Sequence, residues 1–292
     1  MENKKNFFSW LFLIFLLPGA FLFSMDWPSP TGVMTKNFGW NDGGLPHLGV
    51  SFADDGTLTA AEQGELLFQR REGDSACRLP SPLGSWAAVD HGDGIISIYS
   101  RFDSTSSEAI PDRVEKDTVL GKSGISGWSN RKGFYFQLFD RKERRWINPA
   151  MIISPPEDTR PPVILSVRLR DAQGRSFDPA QTKTLSQGRY TISVDAVDTM
   201  KSPNESPLAP YRIICSVNGS ETGLLGFETY SARDGTLVVS RNGLVPVRQV
   251  YAQAPAYEAA DMWFTRGQTT LEIIAQDIAG NVRNMVYRLM VE

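Results

Sequence analysis

Histidine and cysteine are scarce in this chain, with two of each among 292 residues. A His/Cys zinc site takes three or four such ligands, so the census argues against one and leaves only carboxylate sites open. A charge excess is also missing. Thirty Lys and Arg against 33 Asp and Glu leave a net charge of −3, too little for a global field that draws in nucleic acid. No heptad run or periodic repeat is present, which excludes a coiled coil or a solenoid. There is no Gly-x-Ser-x-Gly elbow, no phosphate-binding glycine loop and no motif-placed Cys–His pair. What remains is ordinary globular composition, 41% apolar and 22% charged, with 25 Gly and 18 Pro that suit a turn-rich β protein. The length allows two domains.

Lys4 and Lys5 precede an uncharged run from Phe7 to Phe23. A short basic region followed by an apolar stretch reads as a secretory signal, and the run is near the minimum for a membrane span. Residues 1–25 are therefore expected to be a signal peptide or a retained N-terminal anchor, with the remainder exported to the periplasm or cell envelope. No cysteine lies near this segment, so a lipid anchor on cysteine is excluded. Export implies an oxidising compartment, but Cys77 and Cys215 fall in different expected domains and read as separate thiols.

Four prolines between Ser154 and Pro162 rule out helix and predict an extended, semi-rigid linker over 154–162. On either side the pattern is that of strands. Gly94–Ser100 and Gly133–Phe139 alternate in the first half, with Phe134, Phe136 and Leu138 on one face and Tyr135, Gln137 and Phe139 on the other. In the second half Val163, Leu165, Val167 and Leu169 are expected to share one face. Tyr190–Ala196, Ile213–Val217, Gly235–Val239, Thr269–Ala275 and Met285–Val291 alternate likewise. Asp277-Ile-Ala-Gly-Asn281 reads as a tight turn. About seven such strands predict an immunoglobulin-like β-sandwich over 163–292. The expected class is all-β, with two separately folded halves.

A set of ordered motifs runs through residues 28–153. Phe38-Gly39 precedes His47-Leu-Gly-Val-Ser51. Gly56-Thr-Leu-Thr-Ala-Ala leads to a Gly turn. Asp90-His-Gly-Asp-Gly94 is followed by Tyr99-Ser-Arg-Phe102, then by Val114 to Gly124, then by Gly133-Phe-Tyr-Phe-Gln-Leu138. In order and spacing this resembles the M23 (lysostaphin/LytM-type) peptidoglycan endopeptidases, a β-sheet fold. That family holds one zinc through His-x-Gly-x-Asp and the second His of His-x-His. By the resemblance, His47 stands at a ligand position, Ser51 replaces the Asp and Tyr135 replaces the second His. Gly133 and Arg101 stand where the family has its water-activating histidines. His91 fits a position that is not a ligand and reads as a turn residue.

The resemblance thus implies a metal-free groove bounded by His47, Ser51, Arg101, Tyr135 and Gln137, with no catalytic set and no cofactor. Asp42, Asp54 and Asp55, close to His47 in sequence, read as turn and solvation residues. The charge run Asp140–Arg145 reads as a solvated hairpin turn, or as a basic contact with an anionic polymer. The functional expectation is a non-catalytic envelope protein that binds peptidoglycan or regulates a cell-wall amidase or other hydrolase. The rival readings are a zinc endopeptidase cleaving peptidoglycan cross-bridges and a surface adhesin or structural module.

Overall fold

The computed structural model describes residues 25–54, 56–73, 79–103, 109–199, 206–252 and 254–292. The expected signal segment up to Ser24, Asp55 and Cys77 lie outside them. The chain is almost entirely β. Its first half carries β1 (Val33–Lys36), β2 (Val50–Ala53), β3 (Thr57–Thr59), β4 (Gly64–Arg70), β5 (Ser85–Asp90), β6 (Ile95–Phe102), β7 (Arg113–Val114), β8 (Val119–Lys122), β9 (Gly133–Asp140) and β10 (Arg145–Ile147). Its second half carries β11 (Val163–Asp171), β12 (Ser176–Phe177), β13 (Thr184–Leu185), β14 (Gly188–Val197), β15 (Arg212–Val217), β16 (Ser220–Arg233), β17 (Thr236–Arg241), β18 (Leu244–Pro246), β19 (Tyr257–Phe264), β20 (Gly267–Gln276) and β21 (Val282–Val291). Among the described residues no helix is long and apolar enough to cross a membrane.

In the first half, β9 is the central strand. One edge pairs with β6 along its length; the other is shared by β2 over Gly133–Phe136 and by β10 over Leu138–Asp140. Strict alternation puts Phe134, Phe136 and Leu138 fully into the core with Val50, Val89 and Tyr99, and turns Tyr135 and Gln137 to the opposite face. In the second half, β12-β11-β14-β19 forms one sheet, and β13-β21-β20-β15-β16 belongs to the other. Leu169, Ile192 and Val194 from the first meet Ile213, Cys215, Leu271 and Ile273 from the second in one core. The thiol of Cys215 is fully buried, and burial pushes it up to about 12.

Three features depart from simple alternation. Val163 and Leu165 were expected on the core face of β11 with Val167 and Leu169, but a β-bulge between Ile164 and Ser166 shifts the phase and leaves both exposed. Ile164, Val167 and Leu169 point inward, and Leu165 is 58% exposed. β16 carries no alternating signature because two glycines interrupt it. At Gly223 a Cβ would lie 2.4 Å from the Ala260 Cβ on the facing sheet, so the glycine is required by the close approach.

The third is the junction. Residues 154–162 carry no strand or helix, yet the halves are joined elsewhere. β10 pairs with β16, so one sheet runs through both. Phe38 leaves the first half and packs in the core of the second, 5.0 Å from the Tyr230 ring. The Gly39 carbonyl accepts from the hydroxyls of Tyr251 at 2.8 Å and Tyr257 at 3.3 Å, all buried. Asn37 Nδ2 donates to the Ala209 carbonyl at 2.8 Å, and its Oδ1 accepts from the Ala209 N–H at 2.7 Å. The Phe38-Gly39 pair is thus a clasp between the halves.

Candidate functional site

The five groove residues of the sequence reading sit on β2, β6, β9 and the segment leading into β2. Gly49 lets that segment cross β9 closely: a Cβ there would lie 2.2 Å from the Phe136 carbonyl. The crossing brings His47 over Tyr135, with ring centroids 4.7 Å apart. β2–β9 pairing sets Ser51 directly opposite Tyr135. Gln137 Nε2 donates to the Leu48 carbonyl at 3.4 Å and steadies the crossing. His47, Ser51, Tyr135 and Gln137 are all buried. The three positions that the family resemblance assigns to zinc ligands therefore converge.

Arg101 arrives by a different device. Ser85 pairs with Phe102 and Trp86 with Ser100, which leaves Arg101 as the extra residue of a β-bulge in β6, with φ +69°. A positive φ at a non-glycine residue costs of order 1–3 kcal/mol. Such bulges re-aim side chains, and this one turns the guanidinium into the site. Its Cζ lies 5.2 Å from the Tyr135 ring centroid and its Nη1 donates to Ser51 Oγ at 3.3 Å.

Ser51 Oγ accepts from Arg101 and lies 3.0 Å from His47 Nε2, which accepts the hydroxyl hydrogen when the neutral ring carries its own proton on Nδ1. Burial first, then the cations Lys36 and Arg101, lower the His47 pKa to about 3, which keeps the ring neutral. Burial likewise raises the Tyr135 phenol well above its ordinary value, against the pull of Arg101. Burial lowers the Arg101 pKa.

Zinc does not fit this set. One imidazole has its lone pair capped by a hydroxyl, the hydroxyl is a poor ligand, and a phenol held protonated is none. The adjacent guanidinium repels a dication. Gly133 offers no side chain, and a Cβ there would lie 2.0 Å from the Phe52 carbonyl. The neighbouring aspartates serve the fold: Asp42 pairs with Lys36 at 2.7 Å and Asp54 accepts from the Gly56 N–H at 2.9 Å. His91 is satisfied in its turn by the Gln63 carbonyl and Ser97 Oγ, both at 2.7 Å.

Above the site lies an open cleft of about 410 Å³, lined by Lys36, Asp42, Ser51, Arg101, Trp128, Arg131 and Lys132 among others. Trp128, Arg131 and Lys132 were not singled out from sequence, although Trp128-Ser-Asn-Arg-Lys132 is a visible basic–aromatic cluster just before β9. The more conspicuous run Asp140–Arg145 lies at the far end of that strand, roughly 23 Å away. Three of its cations are paired with carboxylates, Arg141 with Asp90 at 3.3 Å and Lys142 with Asp93 at 3.7 Å at the β5–β6 turn, and Arg145 with Asp140 at 3.3 Å.

Elsewhere, Asp158, Asp198 and Asp277 bring carboxylate oxygens within 4.8 Å of one another. Each already accepts locally: Asp277 holds the Asn281 N–H and side-chain amide, Asp198 the Thr199 N–H and Asp158 the Arg160 N–H. Burial, then Asp277 and Asp158, push Asp198 up to about 7.

A family model matches residues 161–292. No curated protein matches the chain. Among solved structures, the SpoIIQ–SpoIIIAH pore-forming complex is similar at 20% identity and TM-score 0.36, over 46% of this chain and 92% of that one. The catalytic domain of the prophage-encoded M23 protein EnpA from Enterococcus faecalis, as an A109H mutant, is similar at 22% identity and TM-score 0.34, over 40% and 87%. The catalytic domain of lysostaphin from Staphylococcus simulans is similar at 20% identity and TM-score 0.30, over 36% and 77%. At this level the likenesses decide nothing about function, which is argued from the side chains.

Proposed function

We propose that this is a non-catalytic, exported envelope protein whose first half, resembling the M23 peptidases, binds peptidoglycan or a cell-wall hydrolase through the cleft above Ser51 and Arg101. The observation that carries the reading is the hydrogen-bonded set His47–Ser51–Arg101. By the resemblance, it puts a neutral imidazole and a hydroxyl at two metal-ligand positions and a guanidinium at a water-activating one, a set that holds no zinc and activates no water. The concavity over it stays open and is lined by donors suited to recognition. The zinc-endopeptidase alternative would need two more metal ligands, at the positions of Ser51 and Tyr135.

The test is co-sedimentation of the purified protein with isolated sacculi, run beside pull-down of purified cell-wall amidases. Retention by either, with no release of soluble wall fragments, supports the reading. Absence of both interactions, or cleavage abolished by a chelator, overturns it.

A further inference from the structure

The cleft is charged in one direction. Among the described residues, Lys36, Arg101, Arg131 and Lys132 line it against the single carboxylate of Asp42, and Asp42 is already paired with Lys36 at 2.7 Å. The chain as a whole carries −3, so the positive field is local and works against the net charge. Arg131 and Lys132 are exposed at the rim beside Trp128, which is 78% exposed.

Arg101 is the deepest of the four cations. Among the described residues it forms no ion pair: Nη1 donates to a neutral hydroxyl, the Cζ lies over the Tyr135 ring, and Nε is buried without an acceptor. Withdrawing a cation from water without a counter-charge is costly. The bulge adds backbone strain on top of that cost. Both costs fall on one residue, at the floor of an open cleft, with N–H groups left over. The neighbouring Ser51 hydroxyl accepts from Arg101 Nη1 at 3.3 Å and holds the guanidinium toward the cleft floor.

We infer that the cleft is a carboxylate-binding site that takes an acidic, extended peptide segment. A carboxylate on that segment seats over Ser51 and accepts from the remaining N–H groups of Arg101. The planar guanidinium matches a carboxylate in a way that an ammonium does not. Lys36, Arg131 and Lys132 attract further acidic residues on either side, and Trp128 supplies an apolar wall. Arg101 thereby provides, without a metal, the fixed positive charge at the base of the groove. This rests on the binding reading above and names the chemistry of what is bound.

The probes are a tetraglutamate peptide, its tetraglutamine counterpart, inorganic phosphate and anionic phospholipid vesicles, each titrated against the full chain by calorimetry and by Trp fluorescence. Tetraglutamate is expected to bind and to weaken as salt is raised, while tetraglutamine does not. Arg101→Gln should weaken tetraglutamate by about tenfold or more. The exposed pair Arg131→Gln and Lys132→Gln, which cannot disturb the core, should weaken it less and flatten the salt dependence. Lys142→Gln, on the far hairpin, should change nothing. Equal binding of the two peptides, unchanged binding by the Arg101 variant, or binding of phosphate or vesicles without the peptide would overturn the assignment. Sacculi retained equally by wild type and Arg101→Gln leave the envelope reading standing and sink the carboxylate site. Tetraglutamate binding with neither sacculi nor hydrolase retained does the reverse.

Discussion

Ser51 Oγ sits 3.0 Å from His47 Nε2 and receives the Arg101 guanidinium at 3.3 Å on its other side. The histidine is held neutral by burial and by the cations Lys36 and Arg101, and its Nε2 is then free to accept the Ser51 hydroxyl hydrogen. Its folded pKa of about 3 lies below the unfolded value of 6.5. Between those values the unfolded chain binds a proton that the folded chain refuses, so this group's contribution is whole above pH 6.5 and is lost as pH falls toward 3. His47→Gln should remove up to about 1.4 kcal/mol per pH unit from the slope of stability in that window. Denaturant titrations at intervals from pH 4 to 7 read it; an unchanged slope would mean the ring is already protonated in the fold.

Restoring ligands should restore metal binding. Ser51→Asp with Tyr135→His adds a carboxylate and an imidazole around His47 at positions that already converge. Zinc at a hundredfold excess over its dissociation constant should then stabilise the variant by about 2.7 kcal/mol, and leave the parent unmoved. A variant that folds and shows no zinc-dependent shift would mean the three positions do not share a site. Adding Gly133→His should instead harm folding, because its Cβ meets the Phe52 carbonyl.

The clasp at Phe38-Gly39 predicts how the halves come apart. Cleavage within 154–162 should leave two fragments that co-elute, since β10–β16 pairing and the buried Gly39–Tyr251 hydrogen bond survive the cut. Phe38→Ala should cost about 3–5 kcal/mol and let the cleaved fragments separate on gel filtration. Separation of the unmutated fragments would show that the junction contributes little.

Asp198 carries the opposite pH signature to His47. Its folded pKa of about 7 exceeds the ordinary 3.8, so its favourable contribution is present below 3.8 and lost as pH rises through 7. Asp198→Asn keeps an acceptor for the Thr199 N–H and removes the repulsion. It should raise the melting temperature at pH 8 by about 2–4 °C or more, with the gain vanishing near pH 4. A melting temperature that is unchanged or lower at pH 8 would contradict this.

Much of the fold was legible because its core strands alternate without interruption: Phe134, Phe136 and Leu138, or Ile192 and Val194, announce their faces by period alone. Ser220–Arg233 and Tyr257–Phe264 were not, because Gly223 and Gly226 break the pattern in one and a bulge shifts the other. The bulge at Leu165 is invisible to any count of two. In the site, motif spacing singled out His47, Ser51, Arg101, Tyr135 and Gln137. No spacing reveals that Arg101 sits on a bulge with φ +69°, or that Ser51 links it to His47. The rim cations Arg131 and Lys132 were overlooked beside the denser run at Asp140–Arg145, where Arg141, Lys142 and Arg145 are paired with Asp90, Asp93 and Asp140. The clasp was hidden for a different reason: Phe38-Gly39 belongs to a motif of the first half but is buried in the core of the second.

The central claim is that a hydroxyl and a guanidinium have replaced the metal in this site. Elemental analysis of the purified protein after zinc exposure and desalting, paired with release of soluble fragments from sacculi, tests it most directly. The account predicts well under a tenth of a zinc per chain and no release, as expected where only one of the three needed ligands is present. About one zinc per chain, with wall cleavage that a chelator abolishes, would contradict it.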